Sequence, residues 1–141
     1  MSSTQRMFDL TEQQCRARLE AHHPRVGRLA FAEDGDPDWP MVLPVNYAYH
    51  DGHVFVRTLE GSKLYAALRH ARVAFEIDVI DAGWAEGWSV VAVGALELVE
   101  DPAQRAAVDT VLRSWLVDGA DHLVRVDIER LTGRVIIGRP T

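Results

Sequence analysis

Apolar and polar residues alternate with a period of two along much of this chain, the pattern of half-buried β-strands. In VGRLAFA, Val26 to Ala32, the set Gly27, Leu29 and Phe31 alternates against Val26, Arg28 and Ala30. In RVAFEID, Arg72 to Asp78, one face carries Val73, Phe75 and Ile77 and the other Ala74, Glu76 and Asp78. HVFVRT, His53 to Thr58, is β-branched and aromatic, and it follows Asp51-Gly52, a dipeptide suited to the positive-φ positions of a tight hairpin. Trp88 to Val99 predicts a long strand with Gly94 in its middle, as expected where a strand bends around a barrel. HLVRVDIERL and GRVII, Gly133 to Ile137, predict two closing strands. Trp39 to His50 predicts an apolar-aromatic strand interrupted by Pro44, which cannot donate to a ladder and so implies an edge, a bulge or a strand end. EDGDPD reads as a turn and VIDAGWAEG as a loop.

Three stretches carry a helical period instead. Thr11 and Gln14 stand at capping-box spacing at the head of TEQQCRARLEAH, and Pro24 stops that helix. Ser62 can cap a short helix carrying Leu64, Tyr65 and Leu68. Pro102 opens PAQRAAVDTVLRSWL, whose Ala107, Val111 and Trp115 with Val108, Leu112 and Leu116 form one apolar stripe, so Leu112 and Trp115 are expected in the core. Strands outnumber helices about two to one and short turns join most neighbours, which predicts a mainly β chain with flanking helices, a small curved antiparallel barrel forming one domain over 1–141.

Composition narrows the function. The chain has 141 residues and a formal charge of −6, which disfavours phosphate-backbone attraction and hence a nucleic-acid partner. No uncharged run approaches the ~20 residues of a membrane span, and MSSTQRMFDL lacks the apolar centre of a signal peptide, so a cytoplasmic protein off the membrane is expected. The single cysteine, Cys15, excludes an intramolecular disulfide and is expected to pack on its helix. The histidines form no HExxH motif, and no metal site is expected.

The chemistry concentrates between Asp51 and Leu68, where a strand, a Gly-Ser-Lys corner and a helix follow one another. Lys63 lies in the first turn of that helix, where unpaired N–H groups already carry positive charge. Two readings stand. An anion such as phosphate sits there, within reach of Arg57 and Thr58, or Ser62 simply caps the helix and Lys63 is solvated. Val45, Asn46 and Tyr47 likewise either offer a free main-chain edge to a flat polar ring or belong to a bulge that only curves the barrel.

Taken in order, LTEQQC, VGRLAF, PVNY, FVRT leading into GSKL, VAFEID, GWSVVAVGALELV and TGRVI resemble the pyridoxamine 5′-phosphate oxidase-like flavin-binding split-barrel family, especially its short nitroimidazole-resistance-like bacterial members. The likeness spans nearly the whole chain. It implies an FMN-binding split β-barrel whose FMN lies in a groove between the subunits of a homodimer. Residue by residue, it implies Arg57, Thr58, Ser62 and Lys63 on the phosphate and Val45, Asn46 and Tyr47 along the isoalloxazine. Trp88, Ser89 and Arg134 would lie near the flavin, with the second subunit as their source. The implied activity is that of a flavin-dependent oxidoreductase, moving hydride or electrons between a reduced nicotinamide or deazaflavin and a small organic acceptor. The alternative is a carrier or sensor that binds FMN, a deazaflavin or haem without turnover. The vitamin-pathway oxidases are longer and carry C-terminal basic and aromatic elements that are lacking here, which speaks against the namesake reaction. No catalytic acid or base is singled out.

Overall fold

The computed structural model describes residues 6–59, 61–81, 83, 86–113 and 121–138, with backbone alone at positions 62 and 65. Its elements in chain order are β1 (Arg6–Asp9), α1 (Glu12–Ala21), β2 (Val26–Ala32), a 3-10 turn (Glu33–Gly35), β3 (Pro40–Asn46), β4 (Ala48–His50), β5 (His53–Thr58), α2 (Ser62–Leu68), β6 (Arg72–Asp81), β7 (Glu86–Leu98), α3 (Pro102–Asp109) and β8 (His122–Ile137). The strands form one 8-stranded sheet in the order β3-β2-β6-β7-β8-β5-β4, with β1 added to β8, and every pairing is antiparallel. This is the split barrel that the resemblance implies.

The alternation along β2 and β6 sorts the side chains as expected: Leu29, Phe31, Val73, Phe75 and Ile77 enter one core with Tyr47, Val90, Ala92 and Leu96. A second, smaller core gathers Ala48, Phe55, Val99, Val108, Leu112 and Leu123. Asp51 and Gly52 take φ of 51° and 79° and turn β4 into β5. In α1, Thr11 and Gln14 form the reciprocal capping box, and Cys15 is fully buried, its thiol pKa raised by that burial.

The register between β7 and β8 slips at Val93/Gly94, which face Arg130 and Ile128, so β8 bulges by one residue at Glu129. Only glycine fits at position 94, because a Cβ on Gly94 would lie 1.8 Å from the Asp127 carbonyl oxygen.

Five features differ from the sequence reading. β1 was not expected; its short, exposed residues carry no periodic signal, and its place comes from pairing with β8. Pro44 does not interrupt its strand, since β3 is the outermost strand of the sheet and the missing donor falls in an edge strand, so the chain breaks instead at Tyr47. The closing strands are one continuous β8, and β6 and β7 extend to Asp81 and Glu86, into the expected loop. α3 ends at Asp109: Thr110 Oγ1 donates to the Ala107 carbonyl, Val111 is exposed, and Leu112 is buried. Trp115 lies outside the described residues.

Candidate functional site

Two open grooves hold five of the ten residues singled out from sequence. The first, of about 430 Å³, is lined by Trp88, Ser89 and Arg134 together with Met7, Glu76 and Asp78. The second, of about 550 Å³, is lined by Arg25, Asn46, Tyr47, Thr110, Leu112 and Arg113, among others. No residue lines both.

Ser89, Asp78 and Arg134 are register partners on β7, β6 and β8 and therefore share one face of the sheet. Trp88, one position earlier, faces the other way. Its indole lies under the Arg18 guanidinium, 4.7 Å from ring centroid to Cζ, with His22 edge-on at 5.5 Å. Trp88 is thus clamped by α1, and its side chain and that of Ser89 are on opposite faces, as strand alternation requires. Arg28 Nη1 bridges Glu76 Oε1 and Asp78 Oδ2, each at 3.1 Å. Partial burial, with the neighbouring Asp78 adding to it, pushes the Glu76 pKa up to about 7, against the opposing pull of Arg28.

Around the second groove, Val45 and Tyr47 are buried and Asn46 is exposed. The Tyr47 hydroxyl donates to the Leu19 carbonyl at 2.8 Å, and burial pushes its pKa up to about 12 although the charge of Arg25 acts the other way. Arg25, which the sequence reading passed over, has a buried Nε with no hydrogen-bond partner, while its Nη2 donates to the Glu20 carbonyl at 3.4 Å.

At the strand-to-helix corner, Thr58 is buried and its hydroxyl donates to the Leu59 carbonyl at 2.8 Å. Gly61, at φ 142°, makes the reversal. Ser62 begins α2, and its side chain is outside the described residues. Lys63 is half-buried in the first turn, has no ion-pair partner among the described residues, and has its pKa lowered by desolvation. Arg57 is committed to other partners. Its Nε donates to the Leu112 carbonyl at 2.7 Å, Nη1 lies 3.4 Å from Asp121 Oδ1, and Nη2 pairs with Asp109. Both Arg57 and Asp121 side chains are nearly buried.

Residues 11–135 match the family model described as pyridoxamine 5′-phosphate oxidase. The chain belongs to the pyridoxamine 5′-phosphate oxidase-like family. Within reach of that family, the uncharacterized protein Rv0080 of Mycobacterium tuberculosis is 35% identical over 116 residues, covering 79% of this chain and 74% of its own length. Among solved structures, a FAD-binding protein from Mesorhizobium loti superposes with a TM-score of 0.75 at 30% identity, covering 94% of this chain and 98% of that one. The FAD binding protein from Mycobacterium smegmatis gives 0.71 at 31% identity, covering 90% and 98%. The matched residues include the corner at Lys63, the whole second groove and the first groove apart from Met7 and Ile136.

Proposed function

We propose that this chain is a flavin-binding oxidoreductase acting as a homodimer, which moves hydride or electrons from a reduced nicotinamide or deazaflavin to a small organic acceptor. The observation that carries the reading is the division of the candidate contacts between two grooves with no common lining residue. One chain offers Asn46 and Tyr47 on one groove and Trp88, Ser89 and Arg134 on the other. A second copy, laying its Ser89–Arg134 groove against this chain's Asn46–Tyr47 groove, brings both sets onto one ligand. Ile80 and Met7, 75% and 58% exposed beside the Ser89–Arg134 groove, are apolar surface that such a contact would cover.

The residues present fit a phosphorylated flavin. Lys63 holds a half-buried ammonium with no carboxylate beside it among the described residues, and a phosphate supplies that counter-charge. Thr58 and Ser62 flank the same corner. β3, as the outermost strand, leaves one edge of its main chain at Val45 and Asn46 open to a flat ring, with Tyr47 beside it, whose own N–H donates to the Arg25 carbonyl at 3.0 Å. Arg57 joins the phosphate only by releasing Leu112, Asp109 and Asp121. Ser89 and Arg134 supply hydrogen-bond donors to whatever lies against their face. When bound, the flavin supplies the redox chemistry, and the polypeptide holds and orients it. The two FAD-binding relatives, at 30% and 31% identity, support a flavin. FMN is the form assigned here, as the smallest flavin that uses the Lys63 corner, with a deazaflavin as the alternative.

Anaerobic addition of reduced nicotinamide to the flavin-loaded protein tests the activity. Bleaching of the flavin absorbance is expected. Flavin that stays oxidised under both a nicotinamide and a reduced deazaflavin would leave a carrier or sensor as the better description.

A further inference from the structure

The groove bordered by Asn46 and Tyr47 has a charge pattern at odds with the rest of the chain. The protein carries a formal charge of −6, yet the lining comprises Pro24, Arg25, Val26, Asn46, Tyr47, Thr110, Val111, Leu112 and Arg113, with two arginines and no acid. Asp109 and Asp121, the carboxylates that flank Arg113 among the described residues, are already engaged by Arg57. Arg113 is exposed and has no ion pair among the described residues. Arg25 is the more telling group. Its Nη2 makes one long bond, 3.4 Å, to the Glu20 carbonyl, and its Nε, sealed from solvent, has no acceptor, so the guanidinium is held by a single weak bond and lacks a second acceptor among the described residues. The Tyr47 hydroxyl does not fill the role, since it is committed to Leu19.

We infer that this groove carries an oxyanion site built on Arg25 and Arg113, which takes a phosphate or diphosphate group and is separate from the Lys63 corner. A guanidinium presents planar, forked donors that match phosphate oxygens, and its charge does not titrate away at any physiological pH. Arg25 and Arg113 come from different parts of the chain, one ahead of β2 and the other beyond α3, and converge on a groove of about 550 Å³, large enough for a phosphate ester. Two sources share this chemistry: the diphosphate of a flavin dinucleotide and the diphosphate of a nicotinamide dinucleotide. The site does not depend on flavin binding, so its test can be read without it.

Calorimetric titration with inorganic pyrophosphate at low salt is the direct test, made on wild type, Arg25→Gln, Arg25→Lys, Arg113→Gln and Lys63→Ala. Wild type is expected to bind, and Arg25→Gln to weaken binding by about tenfold or more, the scale of one charge-assisted hydrogen bond. Arg25→Lys, which keeps the charge and loses the forked guanidinium donors, should fall between. Arg113→Gln, a surface change that leaves the fold intact, should weaken binding on its own, and Lys63→Ala should retain the Arg25-dependent component. FAD and FMN titrations then identify the source: a larger loss for FAD than for FMN in Arg25→Gln assigns the flavin diphosphate, whereas an Arg25-dependent loss confined to reduced nicotinamide dinucleotide assigns the redox partner. Pyrophosphate binding that is absent, or unchanged in both folded Arg25 and Arg113 variants, overturns the inference whatever the flavin does.

Discussion

The Tyr47 hydroxyl donates to the Leu19 carbonyl at 2.8 Å, with both residues buried. Leu19 lies in the last turn of α1, where carbonyls have no partner further along the helix, so a side chain from the β3–β4 junction completes the helix end. This joins the helix that clamps Trp88 to the edge strand that borders the Arg25 groove. Tyr47→Phe should lower stability by about 1–3 kcal/mol, because it leaves a buried carbonyl unpaired. Flavin affinity should stay within about twofold, since the hydroxyl points at α1. Urea melts alongside flavin titrations check both halves; a large loss of affinity at unchanged stability would place the hydroxyl on the ligand.

Arg57 is expected to act first on stability. Its partner Asp121 is nearly buried, and removing the guanidinium leaves that carboxylate without its counter-ion. Arg57→Ala should cost about 3–5 kcal/mol, and Asp121→Asn in the Arg57→Ala background should recover part of it. A double-mutant cycle by chemical denaturation measures the coupling. Near-additive effects would show that the pair contributes little and that Arg57 is free to serve a ligand.

Lys63 should behave in the opposite way. Lys63→Ala is expected to weaken FMN by roughly tenfold to a hundredfold, with riboflavin, which has no phosphate, little changed. Stability of the ligand-free protein should hold or rise, because a desolvated ammonium at a helix start is removed. Fluorescence titration of both flavins separates a phosphate contact from a solvated lysine, which would leave the two affinities as they are.

Glu76 sets a pH dependence. Its carboxyl has an ordinary value of 4.5 and is raised to about 7 in the folded chain, so the folded state holds an extra proton between those limits. Its contribution is fully present below about 4.5 and is lost as pH rises through about 7. The decline should be about 1–2 kcal/mol once solvent screening is allowed for, and Glu76→Gln should flatten it. Thermal melts from pH 4.5 to 8 would contradict this if the variant kept the wild-type slope.

Much of the fold was legible because it rests on local physics. Val73, Phe75 and Ile77 must share a face if the segment is a strand, Asp51-Gly52 suits a positive-φ turn, and Thr11 with Gln14 closes the first turn of α1. What could not be read was pairing across distance. Exposed β1 is specified by β8, and of the readings open for Pro44, an edge, a bulge or a strand end, only the sheet order selects the edge. The same holds at the candidate site. Arg57 reads as a ligand group at a strand end until Asp109 and Asp121, 52 and 64 positions away, are seen to hold it. That Trp88 and Ser89 face opposite ways was available from alternation alone. Arg25 gave no signal, since an unpaired donor is visible only once its surroundings are built.

The proposed flavin site between two copies of this chain is put to the test by light scattering with in-line flavin absorbance on the loaded protein. The expected result is the mass of a dimer at micromolar concentration, one flavin per chain, and loss of flavin together with dimer in a variant carrying Ile80→Asp at the exposed rim of the Ser89–Arg134 groove. A monomer that retains flavin, or a dimer that binds none when titrated with FMN and FAD, would contradict it.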